Sequence, residues 1–550
     1  MKRITGCLLI TMYFLAAGPL SAATGGIVNA RIHSLDDDRS QAEAMAWDDA
    51  GRIVYIGDTD GLAEAYPDLS PENLEGRVVL PGLIDAHGHV MGLGLARLQA
   101  DLVGAASVNE VIERLKAHAA NLPDEAWLTG RGWDQTRWEG REFPSAAELD
   151  EAFPDRPVYL VRVDGHAAWV NSAAMEHATE DLSGDWQPQG GNIHRDGEGE
   201  PTGILIDTAM PYVAGAMPEP TGEERELALD LALSEIARFG LTGVHDMGAS
   251  LADFMQFKRR DEAGELTLRI HAMADGDGDM LKWLCDNEPW AGNRLIARGV
   301  KLYTDGALGS RGAALLADYS DEPGNTGLLF HSDDELQALV DRALGCELQL
   351  AIHAIGDAAN RQVIDALIAG QADFQDNPGR HRVEHVQIIA VEDIPRMAQH
   401  GIIASMQPIH ATSDMRWAED RVGSERLAGA YAWQRILEAG VHLALGSDFP
   451  VEPVNPWLGI YAAVTRQDQE GNPEGGWLPD QRLNVDEALR GFTVDAAIAG
   501  FAEERVGTLE VGKYADFIVI DADPYRIAPA ALADMEVLRT VVGGEVVFAL

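Results

Sequence analysis

The sequence predicts an α/β fold: a (β/α)8 barrel of the TIM type, with an inserted cap subdomain and a small β-sandwich domain formed by both chain ends. Three observations carry this reading. Eight short apolar runs, each ending in polar or glycine residues, alternate with helix-like stretches through the middle of the chain. Histidines and a carboxylate stand at the ends of several of those runs. Both termini read as β-structure, and the middle does not.

The runs lie at 79–87, 241–246, 268–272, 299–304, 348–353, 382–385, 402–406 and 442–446. From the second onward they recur every 20–50 residues or so, the length of one βα unit. Eight such units close a barrel. About 150 residues separate the first run from the second. That is far too long for one helix, so an inserted subdomain is expected at about 95–225. At the chain ends, 27–32, 44–47 and 52–56 match 506–509, 514–520 and 540–547 in β character, with turn residues between them. One composite β-domain of 24–80 and 506–550 is the economical reading, with the barrel spanning 81–505.

Composition bounds the partners. The 550 residues are 46% hydrophobic and carry a formal charge of −47. The first value is ordinary for a globular chain. The second repels phosphate backbones and anionic lipid heads, so no nucleic acid or membrane-surface partner is expected. An acidic surface also suits a saline environment and neutral substrates. Lys2 and Arg3, an apolar stretch over 4–17, and Ser21-Ala22-Ala23 make a cleavable secretory signal over residues 1–23. The apolar stretch is shorter than the roughly 20 residues of a membrane span. A periplasmic or secreted protein is expected, with no stable membrane insertion after cleavage; a homodimer is compatible with the composition. Cys285 and Cys346 then remain. One bridge is no disulfide framework, so two buried free thiols are expected.

Barrels of this kind do their chemistry at the C-terminal ends of the strands. The first run delivers His87-Gly88-His89, the fifth His353, the sixth His385, and the eighth Gly446-Ser447-Asp448. Alternate strand residues point the same way, so His87 and His89 can converge on one ion. Several imidazoles and one carboxylate suit a catalytic zinc-type site with a position open for water. Lys301 sits inside the fourth apolar run. A buried ammonium is costly, so it either pairs with a carboxylate or is neutral. A neutral amine can take up carbon dioxide as a carbamate, whose oxygens can bridge two ions.

These residues resemble the amidohydrolase superfamily, and within it amidohydrolase family 3, the branch that includes N-substituted formamide deformylases. The matching stretches are Leu80-Pro81-Gly82-Leu83-Ile84-Asp85-Ala86-His87-Gly88-His89, Gly132-Trp133-Asp134-Gln135 and the stretch 162–172. Further matches are Lys301 to Arg311, His353-Ala354-Ile355-Gly356-Asp357, Glu384-His385 and Gly446-Ser447-Asp448. The likeness runs over essentially all of the mature chain. It implies that His87 and His89 bind one metal, and that Lys301, if carboxylated, bridges to a second held by His353 and His385. Asp448 would ligate the first metal and handle the proton. The implied cofactors are one or two divalent ions, zinc by preference, and carbon dioxide on Lys301.

The implied reaction is hydrolysis of a non-peptide carbon–nitrogen bond in a small amide or N-substituted formamide, by metal-activated water with Asp448 as base and then acid. Trp133, Asp134, His166 and Arg311 are candidates for holding the substrate. His245 and Asp305 are expected behind the ligands. Glu384, one residue before His385, should point to the other side of its strand and be structural. Two alternatives stand beside this. One is a mononuclear deaminase of a heterocyclic amine, although Asp357 stands where such enzymes place a glutamate one residue earlier. The other is a non-catalytic periplasmic binding protein on the same fold.

Overall fold

A computed structural model describes residues 22–550 apart from 121, 124, 125, 164, 166, 189, 190, 277, 376 and 378. Nearly all of the expected signal segment therefore lies outside the described residues, as does His166. Among the described residues no helix is long and apolar enough to cross a membrane.

The barrel strands are β1 (Leu83–Gly88), β2 (Leu241–Ala249), β3 (Arg269–Asp275), β4 (Leu295–Tyr303), β5 (Gln349–Ala354), β6 (Arg382–His385), β7 (Ile403–Met406) and β8 (Leu443–Leu445). They follow one another in that order in one sheet. The pairings from β2 through β8 are parallel. The ring closes just past β8. There Ser447 donates its amide to the Asp85 carboxylate at 3.0 Å and its hydroxyl at 2.6 Å. Gly446 permits this approach, since a Cβ would lie 2.5 Å from both Asp85 Oδ1 and the His87 amide. Strands covered on both faces are apolar throughout, which is why the middle of the sequence shows runs and not alternation.

The run expected at 79–87 is two strands. Val78–Pro81 pairs antiparallel with Phe517–Ile520, in register from Pro81 opposite Phe517 to Val78 opposite Ile520. The chain then changes sheet at Gly82, where any Cβ would sit 2.2 Å from the Thr242 side chain. Val78–Pro81 belongs to a six-stranded sheet with Arg31–His33, Gln41–Ala42, Phe517–Ile520, Val537–Val542 and Glu545–Ala549. A second sheet joins Gly25–Val28, Ala44–Trp47, Ile53–Gly57 and Glu72–Asn73. Ile27 and Met45 of one share a core with Ile32, Val79, Phe517 and Val519 of the other.

Cys285 and Cys346 form a disulfide across 61 residues of chain. This corrects the expectation of two buried free thiols. Cys285 lies in the helix after β3, Asp279–Asn287, and Cys346 caps the helix after β4, Asp333–Gly345. Successive outer helices are neighbours around a barrel, and both cysteines are only half-buried.

A second compact unit comprises residues 88–235 with 448–452. Its sheet runs Gly191–Arg195, Pro201–Asp207, Ala167–Val170, Val158–Arg162, Leu128–Trp133 and Ala100–Asp101 in spatial order. Trp133, Trp138 and Trp169 fill its core with ring centroids 6.0–6.2 Å apart. The helix Val108–Ala119 is started by Ser107, whose hydroxyl accepts from the Glu110 amide.

Candidate metal centre

Because the strands are parallel, the ends of β1, β4, β5 and β6 share one face of the barrel. There His87, Lys301, His353 and His385 come together. The His87 and His385 rings are 4.7 Å apart between centroids, and those of His385 and His353 are 4.6 Å apart. Lys301 Nζ lies 3.0 Å from His87 Nε2 and 5.1 Å from the centre of the Tyr303 ring. Lys301 is 1% exposed and His87 is fully buried.

The neighbours fix which ring nitrogen can ligate. His87 Nδ1 lies 2.6 Å from Glu384 Oε2. A carboxylate only accepts, so Nδ1 carries the proton and the lone pair is on Nε2, toward Lys301. His385 Nδ1 meets Gln407 Oε1 at 2.8 Å, with the same consequence. His385 has φ 77° and the following Val386 φ 45°. Left-handed backbone at a β-branched residue is costly, and such strain collects at functional sites. His353 Nε2 is buried with no hydrogen-bond partner among the described residues. It stands 3.4 Å from Asp305 Oδ1, outside hydrogen-bond geometry.

The Nε2 atoms of His87 and His385, beside the unpartnered Nε2 of His353, are nitrogen ligands that fit a soft-to-borderline divalent ion.

Behind these side chains stand the groups that hold them. Asp305 accepts from the amides of Ile355, Gly356 and Ala314 at 2.8–2.9 Å, which shapes the turn after His353. Asp85 accepts from the His87 amide at 3.0 Å. His245 Nδ1 is 2.7 Å from Arg382 Nη1. Burial and the Arg382 charge push its imidazole well below the usual histidine range. Glu384, expected to be structural, is buried with its carboxylate against His87 Nδ1 and the Arg382 guanidinium. Burial alone would raise this carboxyl, but Arg382 and His87 outweigh burial and hold it well below the usual range. Strand alternation does turn Glu384 away from His385. Alternation also puts Arg382 and Glu384 on one side, which is a sequence signal for a buried ion pair.

In the second unit, His89 Nε2 lies 3.1 Å from Asp448 Oδ1, and the His89 amide donates to the Phe449 carbonyl at 2.9 Å. Asp448 has φ 64°. Each of the described substrate candidates also has a partner within the protein. Trp133 is fully buried and donates Nε1–H to the Leu160 carbonyl at 2.9 Å. Asp134 accepts from the Thr136 amide and pairs with Arg162 at 3.0 Å. Arg311 pairs with Asp321 at 2.9 Å and Glu322 at 3.3 Å.

An eight-stranded parallel barrel with imidazoles and a buried lysine at its strand ends defines a metal-dependent hydrolase. The sequence profile of the amidohydrolase family matches residues 72–548. The chain belongs to the amidohydrolase family. It is 30% identical to an N-substituted formamide deformylase of Arthrobacter pascens, covering 94% of this chain and 97% of that one. It is 34% identical to Protein LONG AFTER FAR-RED 3 of Arabidopsis thaliana, covering 94% and 90%. Among solved structures, an uncharacterised metal-dependent hydrolase of Pyrococcus horikoshii OT3 superposes with a TM-score of 0.78. It is 28% identical, over 92% of this chain and 99% of that one.

Proposed function

We propose that this amidohydrolase cleaves the carbon–nitrogen bond of a small neutral amide, of the N-substituted formamide type. The observation that carries the proposal is the buried cluster of Lys301 with His87, His353 and His385, in which Lys301 Nζ is 3.0 Å from His87 Nε2. The likeness to a formamide deformylase over nearly the whole of both chains supports the substrate class.

His87, His89 and Asp448 would hold one divalent ion, zinc by preference, and His353 and His385 a second. Covalent connectivity supports the set: His89 is two residues past His87, and Asp448 follows Ser447, which is tied to Asp85. Lys301 would serve both ions as a carbamate. Its neutral amine adds to the carbon of carbon dioxide, a C–N bond forms, and one proton leaves. The bound ions supply Lewis acidity toward the amide oxygen and acidity to a water. Asp448 takes the proton of the attacking water as the tetrahedral carbon forms. It then delivers that proton to the departing nitrogen, so the products are a carboxylic acid and an amine. Glu384 and Gln407 keep His87 and His385 in the tautomer that presents Nε2.

The leader at residues 1–23 and the Cys285–Cys346 bridge together support an exported enzyme, periplasmic or secreted. N-terminal sequencing of the protein from fractionated cells tests this, with cleavage after Ala23 expected. The activity test is turnover of N-substituted formamides, N-acyl amino acids and cyclic amides by metal-reconstituted protein, with metal content measured on the same sample. Release of amine and formate is expected. Ammonia released from heterocyclic amines with amides untouched would make the chain a deaminase. Metal uptake with no turnover at all would make it a binding protein.

A further inference from the structure

We propose that Arg382 is a positioning residue for the metal-binding imidazole of His87, acting through Glu384. The inference rests on the reading of His87 as a metal ligand.

Arg382 is completely buried at the start of β6 and spends its guanidinium on four neighbouring groups of the barrel interior. Its Nε and Nη2 form a fork on the Glu384 carboxylate, the Nη2–Oε2 contact being 3.1 Å. Nη2 also donates to the Ala86 carbonyl and, at 2.7 Å, to the Ser405 hydroxyl. Nη1 donates to His245 Nδ1 at 2.7 Å. Two of these contacts converge on His87. The Ala86 carbonyl fixes the backbone one residue before it. The Glu384 carboxylate, held by the fork, fixes its ring through Nδ1. A single rigid guanidinium therefore sets both the position of the β1 strand end and the rotation of the imidazole it carries.

The chemistry requires arginine in particular. Its planar fork holds a carboxylate in one orientation, whereas an ammonium is a point charge that cannot. Without that fork the His87 contact alone would aim the buried Glu384 carboxylate. His245 and Ser405 hold the guanidinium at Nη1 and Nη2 as well, which resists its swinging away from the carboxylate. Groups that orient ligating histidines in this way typically contribute roughly 10–100-fold to metal affinity.

The test uses apo full-length protein as wild type, Arg382→Lys, Glu384→Gln, His87→Asn and, as a buried-arginine control, Arg466→Lys. Arg466 is equally buried but donates to the Tyr431 and Trp477 carbonyls. Each protein is titrated with Co2+ against a chromophoric chelator. The visible spectrum of the loaded form and the melting temperature are recorded. Arg382→Lys and Glu384→Gln should weaken Co2+ binding by roughly 10–100-fold and shift the ligand-field bands, in protein that still melts cooperatively. Arg466→Lys should lower the melting temperature alone. Native affinity and a native spectrum in Glu384→Gln would overturn the proposal. So would a loss in Arg382→Lys no larger than in Arg466→Lys. If Arg382→Lys does not fold, the near-isosteric Glu384→Gln decides. Native affinity in His87→Asn would instead overturn the metal-ligand reading of His87.

Discussion

Lys301 Nζ stands 3.0 Å from His87 Nε2, on the side of the imidazole opposite the Glu384 carboxylate. The lysine thus shares the ring's lone-pair side with whatever ion that ring binds. Replacement of Lys301 by Ala should release metal and abolish turnover while the fold persists. Millimolar acetate or propionate should restore a fraction of the activity, by supplying two oxygens where the carbamate would be. Native metal content in Lys301→Ala, measured by atomic emission, would refute a ligand role for the lysine.

Asp448 lies within 3.1 Å of His89 and is held at φ 64°, a backbone conformation that fixes where its carboxylate points. Asp448→Asn keeps the shape and removes the proposed proton acceptor. Turnover should fall by roughly 10²–10⁴-fold, the usual worth of a positioned acid–base group. Circular dichroism and melting temperature should stay near wild type. A variant within tenfold of wild-type turnover removes Asp448 from the proton-transfer role.

What the sequence made legible follows from what each signal depends on. The barrel strands were readable because parallel buried strands are apolar along their length and end abruptly in polar residues, as at His353 and His385. The split at Gly82 was not, because an apolar run does not say which sheet takes its halves. Strand alternation pairs Glu384 with Arg382 but does not say what the pair meets. Their function depends on what β1 places across the barrel, and no local pattern carries that. Trp133 and Arg311 read as ligand-facing groups by residue type, and the sequence does not show that they also meet Leu160 and Asp321 within the fold. The Cys285–Cys346 pair is set by neighbouring outer helices, and a linear separation of 61 residues hides that adjacency.

That bridge closes a long loop, so its removal acts largely through the unfolded chain. Loop-closure entropy for 61 residues corresponds to about 4 kcal/mol at 25 °C. The double variant Cys285→Ser with Cys346→Ser should lower unfolding free energy by up to about that amount. It should leave kcat unchanged, since neither cysteine touches the centre. Urea unfolding with and without reductant checks this. Identical midpoints for wild type in both conditions would mean that the bridge does not form.

Burial, with Arg382 and Arg298 nearby, pushes the His271 imidazole down to about 3, and burial pushes His381 down to about 4. Both folded values lie below the ordinary histidine value, so the unfolded chain takes up these protons first. Stability should therefore fall as pH drops below about 6.5, by about 1.4 kcal/mol per pH unit for each histidine, until each folded group titrates. Neither nitrogen of His271 has a hydrogen-bond partner among the described residues. His271→Phe thus gives up no hydrogen bond, and at pH 7.5 it should be as stable as wild type or more so. Its stability should decline less steeply between pH 6.5 and 4.5, by one histidine's worth of slope. Urea unfolding of the metal-free proteins across that range measures both quantities. Parallel pH profiles for wild type and His271→Phe would show that His271 is not held neutral in the folded state.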